Sequence, residues 1–114
     1  MIWVAVALAG GIGAVVRDRT AEALHARQHG ALWATALVNL VGALGLGLLL
    51  GIGSGPTGLV VIGVGLLGGL TTFSTWMTQA TATPGGAVRA VVVIGQLTAG
   101  PVLAWAGITA GRAL

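Results

Sequence analysis

Four apolar blocks, separated by short polar or glycine- and proline-containing segments, make up the chain and cover residues 2–16, 32–52, 58–82 and 87–110. A helix needs about 20 apolar residues to cross a bilayer, and a backbone in lipid has to satisfy its own hydrogen bonds. The pattern therefore predicts an all-α integral membrane protein in which residues 1–114 form one domain of four transmembrane helices. The first helix can continue beyond its apolar block into the polar stretch 17–29.

The composition supports a membrane protein. The chain is 56% hydrophobic and 6% charged, whereas a soluble domain carries about 25% charged residues. Its net charge of +3 comes from five scattered arginines without stacking aromatics, so we do not expect nucleic acid as a partner. The absence of cysteine excludes disulfides, thiolate metal sites and cysteine catalysis. The apolar start has no preceding basic region, and we expect a first span there rather than a cleaved signal peptide.

The arginines also predict the orientation of the chain. Four spans place both termini and the second loop on one side of the membrane, together with Arg112. The opposite side holds Arg19, Arg27 and Arg89, with Arg17 set aside because it lies at the end of a span. Since basic residues concentrate on the cytoplasmic side, this bias predicts that both termini are outside.

The chain contains 21 glycines, and some of them are spaced for close contact between helices. Small residues four apart let two membrane helices approach each other. Three such pairs occur, namely Gly47 and Gly51, Gly65 and Gly69, and Gly107 and Gly111. Because four short helices enclose little space, we expect a pore or cavity to require a second subunit.

The third block contains the least regular segment of the chain. Gly68 and Gly69 loosen a helix, and hydroxyl residues follow them within residues 71–75. A broken helix at membrane depth exposes main-chain carbonyl and amide groups, which channels and transporters use to hold ions. A kinked packing helix whose hydroxyls donate to its own carbonyls is the alternative. The residues alone leave both interpretations open.

Polar residues elsewhere point to no enzymatic activity. Asp18 and Glu22, which lie beside arginines, fit a solvated, salt-paired helix end at least as well as a catalytic carboxylate pair. Thr35 and Asn39 are four apart and share a helix face. Asn39 is equally suited to an interhelical hydrogen bond and to ligand binding.

Three motifs together resemble the CrcB/Fluc fluoride channels over nearly the whole chain. They are Gly10-Gly-Ile-Gly-Ala-Val-Val-Arg17, Thr35 with Asn39 and Gly42, and Gly68-Gly-Leu-Thr-Thr-Phe-Ser-Thr75. The resemblance implies a fluoride-selective channel of the plasma membrane that exports fluoride down its electrochemical gradient and relieves fluoride toxicity. It also implies an antiparallel dimer of four-helix subunits, surrounded by lipid, with two pores.

By the same resemblance, the broken third span has two tasks. The main-chain carbonyls of Gly68 and Thr71 are implied to hold a structural sodium ion, Na+, at the dimer centre. The fluoride pathway is implied to contain aromatic rings, hydroxyls, an asparagine and an arginine near the aqueous entrance: Phe73, Trp76, Ser74, Thr75, Thr35, Asn39 and Arg17. Fluoride is strongly hydrated, so amide and hydroxyl donors have to replace its water, and the positive edge of an aromatic ring is a further contact.

The chain departs from the family pattern in three places. Trp76 stands where the family has a second Phe, and Gln79 where an acidic residue is common. The fourth span has no clear match for the family's serine, and Gln96 and Thr98 are the nearest candidates. Together with the arginine bias, these departures favour a heterodimer with a related paralogue of opposite orientation, and a homodimer is the alternative.

Two other functions fit a chain of this size. A small multidrug-resistance-like cation exporter also has about four spans. Such a pump depends on an intramembrane carboxylate, whereas the only acids here are Asp18 and Glu22, near the end of the first span. A non-transporting membrane assembly subunit would need only the glycine pairs. The hydroxyl-rich third block, which packing does not require, favours the channel.

Overall fold

The computed structural model describes all residues, 1–114, and consists of helices without β-strands. In chain order the helices are α1 (Ile2–Leu24), α2 (Gly30–Gly51), α3 (residues 56–70), α4 (Phe73–Ala82) and α5 (Gly86–Arg112). Three stretches are long and apolar enough to cross a membrane: Gly30–Gly51, Pro56–Ala82 and Gly86–Arg112. The predicted all-α membrane class is therefore confirmed.

Helix α1 runs without a break from the apolar start into the polar stretch and ends at Leu24. Its last turns are solvated, and Arg19 donates to Glu22 at 3.1 Å in an exposed ion pair. His29 then adopts a left-handed conformation, with φ of 57°, and the chain reverses into α2. The two acidic residues of the chain thus belong to a polar helix end outside the apolar block.

Helices α2 and α5 pack along two of the predicted glycine pairs. A Cβ on Gly47 or on Gly107 would overlap main-chain atoms of the opposite helix. A Cβ on Gly51 would lie 2.9 Å from the Cα of Gly111. Real Cβ atoms do not approach main chain this closely, so only glycine permits this crossing of two membrane helices.

The third predicted pair packs α3 against α1. A Cβ on Gly65 would lie 3.0 Å from the carbonyl oxygen of Val6, and a Cβ on Gly69 would overlap the main chain of Gly10. Gly13 on α1 is restricted by α3 in the same way. This close contact brings the polar end of α1, including Arg17, next to the last turn of α3.

Helices α3 and α4 belong to one apolar stretch but are separated by two extended residues. Helix α3 is made of short α-helical turns at both ends and a π-helical stretch between them: Pro56–Gly58, Leu59–Leu67 and Gly68–Leu70. Thr71 (φ −87°, ψ 155°) and Thr72 (φ −154°, ψ 129°) are extended. The Thr72 side chain then caps α4 by accepting from the Thr75 amide at 3.3 Å. The extended residues leave main-chain groups without helical partners.

A small apolar core lies between α2, α4 and α5, and its members are Leu32, Ala36, Trp76, Ala80 and Val92. Trp76 is the largest of them and is 3% exposed. Trp3 and Trp105, in contrast, are 75% and 68% exposed on the outside of the bundle. An outer surface of large apolar side chains is what lipid contact requires.

Candidate functional site

A cavity of 480 Å³ lies beside the extended residues between α3 and α4. Helices α2, α3, α4 and α5 all contribute to its wall. No charged side chain lines it, and its lining residues are Asn39, Gly42, Ala43, Leu46, Gly63, Leu67, Gly68, Thr71, Thr72, Phe73, Trp76, Gln96 and Leu97. The cavity is mostly apolar, with a few polar groups concentrated at the interruption.

The side-chain amide of Asn39 pairs with the main chain of Thr72. The Thr72 amide donates to Asn39 Oδ1 at 2.8 Å, and Asn39 Nδ2 donates to the Thr72 carbonyl at 3.0 Å. These bonds satisfy both main-chain groups of a residue that has left helical geometry. Asn39 therefore holds the interruption in place from α2.

Gln96 on α5 completes a polar connection across the cavity. Asn39 Nδ2 also donates to Gln96 Oε1, at 3.4 Å. Thr98, the other candidate of the fourth block, is exposed and donates back to the Ile94 carbonyl at 2.9 Å. Of these two residues only Gln96 lines the cavity. A lone amide inside a long apolar helix is a sequence signal that favours Gln96, because such a group is costly in lipid unless it faces a partner or a cavity; the spacing alone does not use it.

Arg17 reaches the interruption from α1. Its guanidinium donates to the Gly69 carbonyl at 3.0 Å and to the Thr71 carbonyl at 3.4 Å. The side chain is half-buried. The family resemblance implies a position near the aqueous entrance for this residue. In the structure its positive charge lies on the carbonyls at the end of α3.

The two carbonyls predicted to hold a cation differ in their partners. Gly68 lines the cavity. Its carbonyl accepts no hydrogen bond, because the amide of Thr72, four residues later, donates to Asn39 instead. The Thr71 carbonyl accepts from Arg17 at 3.4 Å. A carbonyl oxygen has two lone pairs, so Thr71 retains capacity for a second interaction.

The two aromatic residues at the start of α4 form a tilted pair. The ring centroids of Phe73 and Trp76 are 5.6 Å apart, with an angle of 58° between the planes. Phe73 is 68% exposed, whereas Trp76 is 3% exposed and its indole Nε1 has no hydrogen-bond partner. Both rings line the cavity, one from its open side and the other from the core.

The hydroxyl residues predicted for the pathway occupy different environments. Ser74 and Thr75 are exposed on α4, and the Thr75 hydroxyl accepts from the Thr72 hydroxyl at 3.2 Å. Thr35 is buried in α2 and donates to the Ala31 carbonyl at 3.0 Å. None of Thr35, Ser74 and Thr75 lines the cavity, so their part in a pathway stays a prediction.

The chain is similar to known membrane channels along nearly all of its length. Residues 4–108 match the family described as CrcB-like protein, Camphor Resistance (CrcB). The chain is 40% identical over 121 aligned positions to Fluoride-specific ion channel FluC 1 of Symbiobacterium thermophilum, covering 97% of this chain and 98% of the relative. It is 39% identical over 107 positions to FluC 1 of Corynebacterium jeikeium, covering 80% and 76%. For FluC 2 of Mycobacterium bovis the identity is 41% over 81 positions, covering 68% and 63%. No solved structure matches the chain.

Proposed function

The chain belongs to the CrcB family, and from that membership we infer that it is a fluoride-specific ion channel. It is a multi-pass protein of the cell membrane and not an enzyme. Fluoride leaves the cell through it down the electrochemical gradient, which relieves fluoride toxicity. The observation that carries this function is the cavity at the extended residues Thr71 and Thr72, where amide, hydroxyl and aromatic groups meet inside an apolar bundle.

The pathway follows α4 and the facing part of α2. Phe73 offers the positive edge of its ring to an anion, and its high exposure makes that edge accessible. The exposed hydroxyls of Ser74 and Thr75 lie on the same helix and supply donors that replace water around the ion. Arg17 places a positive charge beside the interruption and raises the local concentration of anions.

A second subunit completes the channel. One copy of the chain leaves Phe73 68% exposed and buries only 17 of its 114 residues. We propose an antiparallel dimer, formed with a second copy or with a related paralogue of opposite orientation. Mixing experiments separate the two: a homodimer conducts when the purified chain is reconstituted alone, and a heterodimer conducts only after the related chain is added.

A structural Na+ fits the carbonyls of Gly68 and Thr71 in part. Main-chain carbonyl oxygens are hard ligands suited to such a cation, and the Gly68 carbonyl accepts no hydrogen bond. Two carbonyls are too few to replace the water around a cation, so the second subunit has to supply the rest. Arg17 on the Thr71 carbonyl lowers the affinity for the ion, because a second positive charge lies nearby.

The channel function is tested with the Phe73→Ile variant in liposomes. The side chain is mostly exposed, so this substitution leaves the helical fold intact. It removes the ring edge, and we expect fluoride efflux to fall by at least about tenfold, the size of a lost contact to a charged group. Val91→Ile, at an exposed position of α5 that does not line the cavity, is the control and keeps full efflux. Equal fluoride efflux from Phe73→Ile and wild type would remove Phe73 from the pathway, and no fluoride efflux from the wild type, alone or with a related chain, would contradict the channel function.

A further inference from the structure

We propose that the indole of Trp76 and the side-chain amide of Gln96 are the N–H donors that bind fluoride in the cavity, while Asn39 positions them. The inference rests on the proposed function, since it names the groups at which the transported ion loses water. It changes the expected role of Asn39, whose amide would otherwise be the obvious donor. It also assigns a role to Gln96, for which the family pattern offers a serine.

The amide of Asn39 has no N–H left for an ion. An amide group has two N–H donors and one carbonyl oxygen. The oxygen accepts from the Thr72 amide at 2.8 Å, which identifies the other atom as nitrogen. That nitrogen donates to the Thr72 carbonyl at 3.0 Å and to Gln96 Oε1 at 3.4 Å. An ion at Asn39 would have to break a bond that holds the interruption.

The amide of Gln96 is oriented by Asn39. Because Oε1 accepts from Asn39, both N–H groups of Gln96 lie on Nε2. Nε2 is buried and has no hydrogen-bond partner. A buried donor without a partner is costly, and a ligand that accepts from it recovers that free energy.

The indole of Trp76 provides a second donor at the same cavity. Its Nε1 is buried without a partner, and the ring is held by the apolar core between α2, α4 and α5. Trp76 and Gln96 both line the cavity, from α4 and α5 respectively. A Phe at the position of Trp76 would supply a ring edge but no N–H, so the Trp changes the chemistry of the site rather than only its volume.

The charge pattern around these donors suits an anion. No carboxylate lines the cavity, and the positive guanidinium of Arg17 lies on the carbonyl of Thr71, one of the lining residues. Fluoride is small and accepts hydrogen bonds strongly, so N–H donors held in an apolar wall replace part of the water that it loses. Gln79 Oε1 is also buried without a partner, but no hydrogen bond joins it to Trp76.

The first test follows the indole N–H signals of the full-length chain by ¹⁵N NMR in detergent micelles. Sodium fluoride is titrated against sodium chloride at constant sodium, and Trp76→Phe assigns the signal. We expect fluoride to shift the Trp76 signal, while the exposed Trp3 and Trp105 do not respond and chloride has no effect. If fluoride does not shift the Trp76 signal, the inference is wrong. In Gln79→Leu the fluoride shift keeps its wild-type size; a shift that appears only in this variant would mean that Trp76 pairs with Gln79 instead.

The second test distinguishes the role of the donor nitrogen of the Gln96 amide from that of its acceptor oxygen. Gln96→Glu keeps an oxygen acceptor for Asn39 but replaces the donor nitrogen with a carboxylate oxygen that repels fluoride. Gln96→Leu removes both. We expect both variants to lose at least about tenfold in fluoride efflux and in the fluoride affinity of the Trp76 signal. If Gln96→Glu keeps wild-type efflux, Gln96 only holds Asn39 and the donor role is wrong.

Two controls show whether a loss of efflux comes from the lost donor rather than from a misfolded protein. Thr98→Val, on an exposed position of the same helix, keeps wild-type efflux and a wild-type Trp76 shift. Size-exclusion chromatography checks that each variant remains folded. Wild-type efflux that survives in both Trp76→Phe and Gln96→Leu overturns this inference and leaves the channel function standing. Absence of efflux from the wild type, alone or with a related partner chain, overturns both.

Discussion

Asn39 and Thr72 form a closed pair: the Thr72 amide donates to Asn39 Oδ1 at 2.8 Å, and Asn39 Nδ2 donates to the Thr72 carbonyl at 3.0 Å. The pair joins α2 to the extended residues between α3 and α4. It satisfies main-chain groups that neither helix satisfies and that no water in a bilayer core would satisfy. The interruption is therefore a defined structure, held by a side chain from another helix.

Asn39→Asp is expected to abolish most fluoride efflux. The carboxylate still accepts from the Thr72 amide, but its second oxygen faces the Thr72 carbonyl and Gln96 Oε1, which both carry negative partial charge. It also places a negative charge beside the path of an anion. We expect a loss of at least about tenfold, because a buried polar group left without its partner costs about 1–3 kcal/mol.

Efflux from liposomes measures this effect, and Val38→Ile is a neighbouring control whose side chain is buried and apolar. That control keeps measurable efflux, because one added methylene is tolerated better than a buried charge. An Asn39→Asp protein with unimpaired efflux would show that the Asn39–Thr72 pair is not needed for conduction.

Arg17→Ala is expected to destabilise the chain. The substitution leaves the carbonyls of Gly69 and Thr71 without the donor that they have at 3.0 and 3.4 Å. Hydrogen bonds to a charged group contribute about 1.5–3 kcal/mol to stability. Because Arg17 is only half-buried, we expect part of that contribution to be lost in the variant. A thermal unfolding scan in detergent measures the loss as a lower midpoint.

Arg19→Ala is the matched control for Arg17. Its partner is Glu22, and the two side chains are 76% and 61% exposed. Exposed ion pairs contribute about 0–1 kcal/mol, so the unfolding midpoint of Arg19→Ala remains close to that of the wild type. Equal midpoints for the two arginine variants would contradict a structural role of Arg17 at the interruption.

Much of the helical architecture follows from local patterns. The apolar blocks predicted helices because a bilayer leaves the backbone few alternatives. Glycines four apart predicted close contacts between helices, and α2 and α5 make such a contact. The interpretation of Asp18 and Glu22 as a solvated helix end also agrees with the exposed pair of Glu22 and Arg19. These features depend on residues that are close together in sequence.

The polar network at the cavity depends on long-range contacts instead. Arg17 and Gly69 are 52 positions apart, and Asn39 and Gln96 are 57 apart. The spacing of residues within one helix does not show which residues of another helix they contact. The sequence therefore left Gln96 and Thr98 as equal candidates, and only the packing of α2 on α5 places Gln96 at Asn39.

Gly107→Ala is expected to disrupt the packing of α2 on α5. The added Cβ would overlap main-chain atoms of α2, which cannot move aside as a side chain can. Overpacking of this kind costs about 1–3 kcal/mol. Gly95→Ala in the same helix is the control, since a Cβ there meets nothing within 4 Å. The unfolding midpoint falls for Gly107→Ala only; a similar fall for both variants would show that helix flexibility, not the crossing, is the cause.

The most direct test of the channel assignment is the ratio of fluoride to chloride efflux from liposomes that contain the purified wild-type chain, with and without a related partner chain. Both anions are loaded into the same vesicles and followed by ion-selective electrodes after an ionophore lets cations leave together with the anions. The account predicts rapid fluoride efflux and chloride efflux no greater than that of protein-free vesicles. Comparable efflux of the two anions, or no fluoride efflux in either preparation, would contradict it.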